Sequence, residues 1–216
     1  MGMDKKERAL KIVELLEGEY SQAMCSLDYM KDYELLFSVR LAAQCTDERV
    51  NKITPGLFEA FPTLEAFAKA KVEDVEEIVR PCGFYRSKAR DIVKAANKII
   101  DDYDGRVPDN MADLLKIPGV GRKTANLILG DIYGEPAVVV DTHCIRLTNR
   151  MGLVDTKDPM KIEMELKAIL PPEKSNDFCH RLVFHGRAVC NARKPHCEKC
   201  CVAHLCREFA GNSTKE

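Results

Sequence analysis

The 216-residue chain has no tryptophan, few aromatic residues of any kind (6%), and almost no net charge: 33 Lys and Arg stand against 34 Asp and Glu. A formal charge of −1 excludes binding of nucleic acid or a membrane surface by bulk positive charge, so any basic footprint must be local. No apolar run approaches the ~20 residues of a membrane span, so no membrane partner is expected. The opening MGMDKKERALKIVELLEGEY lacks the apolar stretch of a secretion signal, and Gly2 lacks the Ser or Thr at position 6 that N-myristoylation needs. An intracellular protein is expected. Internal repeats and low-complexity segments are also missing, and only Val138, Val139 and Val140 read as extended, too few to build a sheet.

What the chain does have is helical period. Residues 4–17 place Leu10, Ile12, Val13 and Leu15 near one face. Residues 32–44 carry a stripe wide enough for a central helix. Thr46 or Asp47 would cap the next, with Val50, Ile53, Leu57 and Phe58 inward and a kink or boundary at Pro55. Short helices fit 63–69 and 72–79, ended by Pro81, Cys82 and Gly83, and a long one fits 87–102. After residue 150, helices fit 159–170 and 176–191, the second of them the last, ending at the first of a group of cysteines. The predicted fold class is all-α, and a chain this long buries about 70% of its unfolded surface.

The most informative stretch is 114–141, LLKIPGVGRKTANLILGDIYGEPAVVVD. Pro118 stops a short helix, Gly119-Val120-Gly121 turns the chain, and a second helix starts near Arg122. Unpaired amides at a helix start attract an anion such as a DNA phosphate, though an ordinary αα-corner has the same pattern. Lys123 is electrostatically misplaced in the first turn of that helix. The positive end of the dipole disfavours an ammonium there, and a nucleophilic lysine has to be neutral. Asp141, just before Thr142 and His143, reads as a helix N-cap. Capping keeps the carboxylate ionised, which is compatible with electrostatic catalysis.

Ten cysteines in a chain with no need of staples suggest chemistry rather than disulfides. Cys190, Cys197, Cys200 and Cys206 stand at C-x6-C-x2-C-x5-C, close enough in sequence to surround one metal centre. Zinc and a four-iron cubane both remain open on spacing alone. The other six (Cys25, Cys45, Cys82, Cys144, Cys179 and Cys201) read as small buried apolar residues. Arg181, Arg187, Arg193, Lys194 and Lys199, against Glu198 alone, make the local basic footprint.

Residues 115–150, with PGVGRKTA and VDTH, together with LAAQCTD near residue 44 and the C-terminal cysteines, resemble the endonuclease III family of DNA base-excision glycosylases. The resemblance implies two helical lobes with a cleft between them. One is a six-helix lobe of residues 25–135 holding the helix–hairpin–helix, and the other joins 1–24 to 136–216. It implies a [4Fe-4S] cluster on Cys190, Cys197, Cys200 and Cys206, folding a loop that presents Arg193 and Lys194 to phosphates. The implied partner is double-stranded DNA carrying damaged bases or abasic sites, bound by a monomeric, cytoplasmic, nucleoid-associated enzyme. Gly119, Val120, Gly121 and Arg122 would grip the backbone. Gln44 would fill the space of an extruded nucleotide, with Phe84 as a second wedge and His143 facing DNA. Without the resemblance Gln44 reads equally as a helix-terminal side chain in water, and Phe84 as core.

Relatives that only remove a base lack a lysine at the position of Lys123, so its presence implies a glycosylase and lyase acting on oxidised or ring-saturated pyrimidines. Two other classes use parts of the pattern: a module that grips phosphates without catalysis, and an iron–sulfur electron carrier.

Overall fold

Twelve α-helices account for the regular structure among residues 3–213, the part described by the computed structural model. They are α1 (Lys5–Glu19), α2 (Asp32–Ala42), α3 (Asp47–Ala60), α4 (Leu64–Lys69), α5 (Val72–Val79), α6 (Tyr85–Tyr103), α7 (Met111–Leu114), α8 (Arg122–Asp131), α9 (Thr142–Met151), α10 (Pro159–Ile169), α11 (Ser175–Ala188) and α12 (Arg207–Ser213). Short 3-10 turns lie at Arg80–Cys82, Pro172–Lys174, Cys197–Lys199 and Ala203–Leu205. The described residues contain no strand, and Val138 and Val139 are buried in irregular backbone. No helix of the described residues is long and apolar enough to cross a membrane.

The chain divides into two compact units, Cys25–Tyr133 and Met1–Met24 with Gly134–Glu216. In the first, α2 buries Tyr33, Leu35, Leu36, Phe37 and Leu41, apolar on nearly every side, as a core helix must be. Phe67 of α4 meets the Phe37 ring edge-on at 4.9 Å and the Phe61 ring at a tilt at 5.2 Å, pairs worth about 0.5–1.5 kcal/mol each beyond their buried area. Along α6, Ala89, Ile92, Ala96 and Ile99 recur at helical spacing and pack against α4 and α5. Thr46 caps α3 by accepting from the Arg49 N–H at 3.3 Å. That helix runs unbroken through Pro55 to Ala60, so Pro55 marks no boundary.

In the second unit, α1 buries Ala9, Ile12, Val13 and Leu16 against α10 and α11. Glu17 extends this contact, pairing with Lys174 at 2.6 Å and Arg181 at 3.5 Å. Arg181 is 4% exposed, so it is removed from the basic footprint: its guanidinium supports α1 instead of meeting a ligand. Two helix assignments also change. α11 ends at Ala188, two residues before Cys190, and a further helix, α12, follows the cysteines.

Candidate active site and cysteine centre

The turn between α7 and α8 is closed by Val120 N–H donating to Ile117 C=O at 3.1 Å. Its two glycines are there for different reasons. Gly119 has φ +79°, and a Cβ on it would lie 2.9 Å from both Cδ and Nε of Arg40 and 3.1 Å from Cβ of Asp91. Arg40 is held in that place by Asp91, its Nε at 2.8 Å and Nη2 at 2.7 Å from one carboxylate oxygen. Gly121 has φ −102° and nothing within 4 Å of where its Cβ would be. It is the N-cap of α8 but brings no side chain to accept the first amides, and the intrahelical ladder begins with Ala125 N–H to Gly121 C=O. The first turn therefore presents uncapped donors beside a positive helix end. Lys123 sits in that turn and is exposed.

Asp141, half-buried, is the N-cap of α9, its Oδ1 accepting from Cys144 N–H at 2.7 Å. One turn on, Arg146 Nη2 donates to the carbonyls of Gly186 at 3.3 Å and Cys190 at 3.0 Å, and lies 3.2 Å from His143 Nδ1. A Cβ at Gly186 would stand 2.3 Å from that same nitrogen, so the imidazole lies directly on the α11 backbone.

Gln44 and Phe84 share an unusual feature. Both are exposed, Phe84 at 67%, and both have left-handed backbone, φ 55° and 46°. Phe84 is thus not core. A non-glycine residue there costs about 1–2 kcal/mol and persists only where its surroundings hold it. What holds these two is Lys88, 1% exposed, whose ammonium donates to Leu41 C=O at 2.7 Å and Cys82 C=O at 2.9 Å. Burial pushes its pKa below the ordinary lysine value. Arg49 adds a bond from Nη1 to Pro81 C=O at 3.4 Å.

Cys190, Cys197, Cys200 and Cys206 line one hollow, together with the apolar Met151, Val189 and Val202. All four are free thiols, and among the described residues no three His, Cys, Asp or Glu side chains are placed to hold a metal ion. The segment is braced from α9 and α11. Arg150 donates to the carbonyls of Asn191 at 2.8 Å and Ala192 at 3.0 Å and places Nη1 3.5 Å from Cys190 Sγ. His185 lies between Tyr20 Oη (3.0 Å, on Nδ1) and Cys200 Sγ (3.3 Å, on Nε2). Burial pushes its pKa down to about 4, so the ring is neutral at neutral pH. Arg193 and Lys194 are exposed.

The model of the HhH-GPD superfamily base excision DNA repair proteins matches residues 37–172. The chain belongs to that superfamily. Endonuclease III of Synechocystis sp. is 47% identical over 203 residues, covering 94% of this chain and 93% of that protein. Endonuclease III of Escherichia coli K12 is 37% identical, covering 93% and 95%. Among solved structures, a trapped endonuclease III–DNA covalent intermediate superposes with a TM-score of 0.90 at 39% identity, covering 98% of this chain and all of the other. This is a base-excision repair enzyme, a DNA glycosylase and abasic-site lyase of the endonuclease III kind.

Sequence reasoning about this HhH-GPD chain missed the supports. Lys88 had a signal: it lies in helical register with Ile92, Ala96 and Ile99, on the face that had to be inside. Arg40, Asp91, Arg146, Arg150 and His185 had none, because each takes its role from a partner between 15 and 165 residues away.

Proposed function

We propose that this enzyme excises oxidised or ring-saturated pyrimidines from double-stranded DNA and cuts the strand on the 3′ side of the vacated sugar, with Lys123 as nucleophile. The observation that carries the reading is the exposed amine of Lys123 in the first turn of an uncapped helix, next to open backbone donors. Phosphate accepts from amides at Gly121 and Arg122 while Gly119 and Val120 keep the turn tight. The damaged nucleotide is extruded, Gln44 and Phe84 occupying its place, with His143 facing DNA. The amine nitrogen attacks C1′ and the base leaves with the bonding electron pair. Asp141 stabilises positive charge developing on the sugar, as fixed carboxylates do in glycoside cleavage. The C1′–O4′ bond then breaks, O4′ taking the electron pair and a proton, and the imine so formed acidifies C2′, whose proton loss expels the 3′ phosphate by β-elimination.

The four thiols suit a [4Fe-4S] cluster. They are unpaired, share one apolar-lined hollow, and have Arg150 and His185 nitrogens beside two of the sulfurs. Cys190, Cys197, Cys200 and Cys206 would hold it. When bound it supplies structure, giving a core-poor loop its fold while Arg193 and Lys194 reach for phosphates. The enzyme works as a monomer in the cytoplasm, on the nucleoid. The test is borohydride trapping on a duplex with one thymine glycol. Wild type is expected to form a covalent complex, and Lys123→Gln to bind the duplex but neither trap nor nick. A glutamine variant that still traps assigns the imine to another amine.

A further inference from the structure

Gln44 and Phe84 lie on different segments, and one residue reaches the backbone beside both. The Lys88 ammonium donates at 2.7 Å to Leu41 C=O, near the end of α2 and just before Gln44. It donates at 2.9 Å to Cys82 C=O, on the segment that carries Phe84. The backbone N–H of Lys88 donates to Phe84 C=O at 3.2 Å, where Ser87 Oγ adds a bond at 3.0 Å. Gly83 and Phe84, left-handed in succession with φ 68° and 46°, are therefore bracketed by the two ends of one residue. On the other segment Gln44, with φ 55°, is enclosed by the Leu41 tie on one side and the Thr46 cap of α3 on the other. Arg49, in the first turn of α3, returns to the Phe84 segment through Pro81 C=O at 3.4 Å.

A cation at this place needs a reason. Lys88 is 1% exposed on the inward face of α6, in register with Ile92, Ala96 and Ile99. An apolar side chain of the same length fills such a site without the cost of taking an ammonium out of water. What only a donor can do is bond carbonyls from two separate segments and so fix the distance between them. One of those carbonyls stands at a helix C-terminus, where the dipole favours positive charge.

We propose that Lys88 is a positioning residue for base excision: it sets Gln44 and Phe84 as a pair, so that both enter the duplex together when the damaged nucleotide leaves the stack. The proposal rests on the roles given above to Gln44 and Phe84, and adds the residue that makes the two act as one. Without the ammonium, two carbonyls lose their donor and the left-handed backbone beside them is no longer over-determined. Each wedge segment then relaxes on its own. Displacing a positioning group by ~1 Å costs on the order of 100-fold in rate.

The experiment compares full-length, cluster-loaded wild type with Lys88→Met, which keeps the apolar stem and removes the donor, and with Gln44→Ala and Phe84→Gly. The duplex carries one abasic site opposite 2-aminopurine, a base that brightens when it is unstacked. Its fluorescence is read at saturation, established by anisotropy, so it reports insertion per bound complex and is blind to any loss of folded protein. Single-turnover nicking is followed on the same duplex. Wild type is expected to brighten the probe. Lys88→Met, like the two wedge variants, should bind, leave the probe dim and nick about 10-fold or more slowly. A Lys88→Met complex as bright as wild type, beside dim wedge variants, overturns the clamp. A dim probe with a wild-type nicking rate overturns its part in the reaction. Wild-type brightness and rate in both Gln44→Ala and Phe84→Gly overturn the wedge reading itself, and the clamp with it. Should Lys88→Met show no cooperative melt, Lys88→Gln, one atom shorter and able to serve one carbonyl only, is held to the same outcomes.

Discussion

The two glycines of the hairpin should separate folding from binding. Alanine at 119 must adopt φ near +79°, costing about 1–2 kcal/mol for an L-residue. Its Cβ would press on Arg40 at 2.9 Å, so the guanidinium must leave Asp91. Those side chains are 22% and 27% exposed, and a pair with that much solvent contact is worth up to about 1 kcal/mol. Gly119→Ala should therefore cost roughly 1–3 kcal/mol, a fall in Tm of about 2–12 °C for a chain of this length. Gly121→Ala meets nothing and keeps an extended φ of −102°, so only the weaker N-cap preference of alanine counts, under about 1 kcal/mol. Its methyl does project where a phosphate is proposed to rest. Losing one charge-assisted amide–phosphate bond is worth about 1.5–3 kcal/mol, roughly 10- to 150-fold in Kd. The assays are thermal unfolding and fluorescence-anisotropy titration of a damaged duplex at fixed salt. Duplex binding by Gly121→Ala equal to wild type would refute the phosphate site. A native Tm for Gly119→Ala would mean that the Arg40–Asp91 floor yields freely.

Asp141→Asn keeps an equally good cap for α9, so stability should stay within about 0.5 kcal/mol, while base release in single-turnover assays falls on the order of 100- to 1,000-fold. An unchanged rate would reduce Asp141 to a cap. Phe84→Gly removes an exposed ring from a left-handed position, so stability should hold within about 1 kcal/mol of wild type while excision from duplex drops; loss of both together would instead mark Phe84 as structural. Glu17 is held below the ordinary carboxylate range, chiefly by its hydrogen bond from Lys174. The unfolded chain takes up that proton more readily, so the contribution is present above this range and lost as pH falls through it. Glu17→Gln should flatten the acid limb of urea midpoint against pH, and an acid limb identical to wild type would show that this pair does not set acid stability.

Much of the helical outline was legible because apolar spacing is a local signal. Ile12 and Val13 lie on the buried face of α1 as their spacing implies, although Ala9 and Leu16 complete that face where Leu10 and Leu15 were expected, Leu10 being exposed; Thr46 and Asp141 cap helices through bonds to residues three positions on. The cysteine spacing was equally local. Periodicity says that a face must be covered but not by what. The docking of α1 on α10 and α11, more than 130 residues later, is therefore absent from any window of sequence. The same limit explains the individual surprises. Arg181 looked like a surface cation until Glu17 arrived from α1, and Lys88 became a buried clamp only when Leu41 and Cys82 turned their carbonyls on it. A charged or thiol side chain takes its character from the groups packed around it, and packing is decided by the whole chain at once.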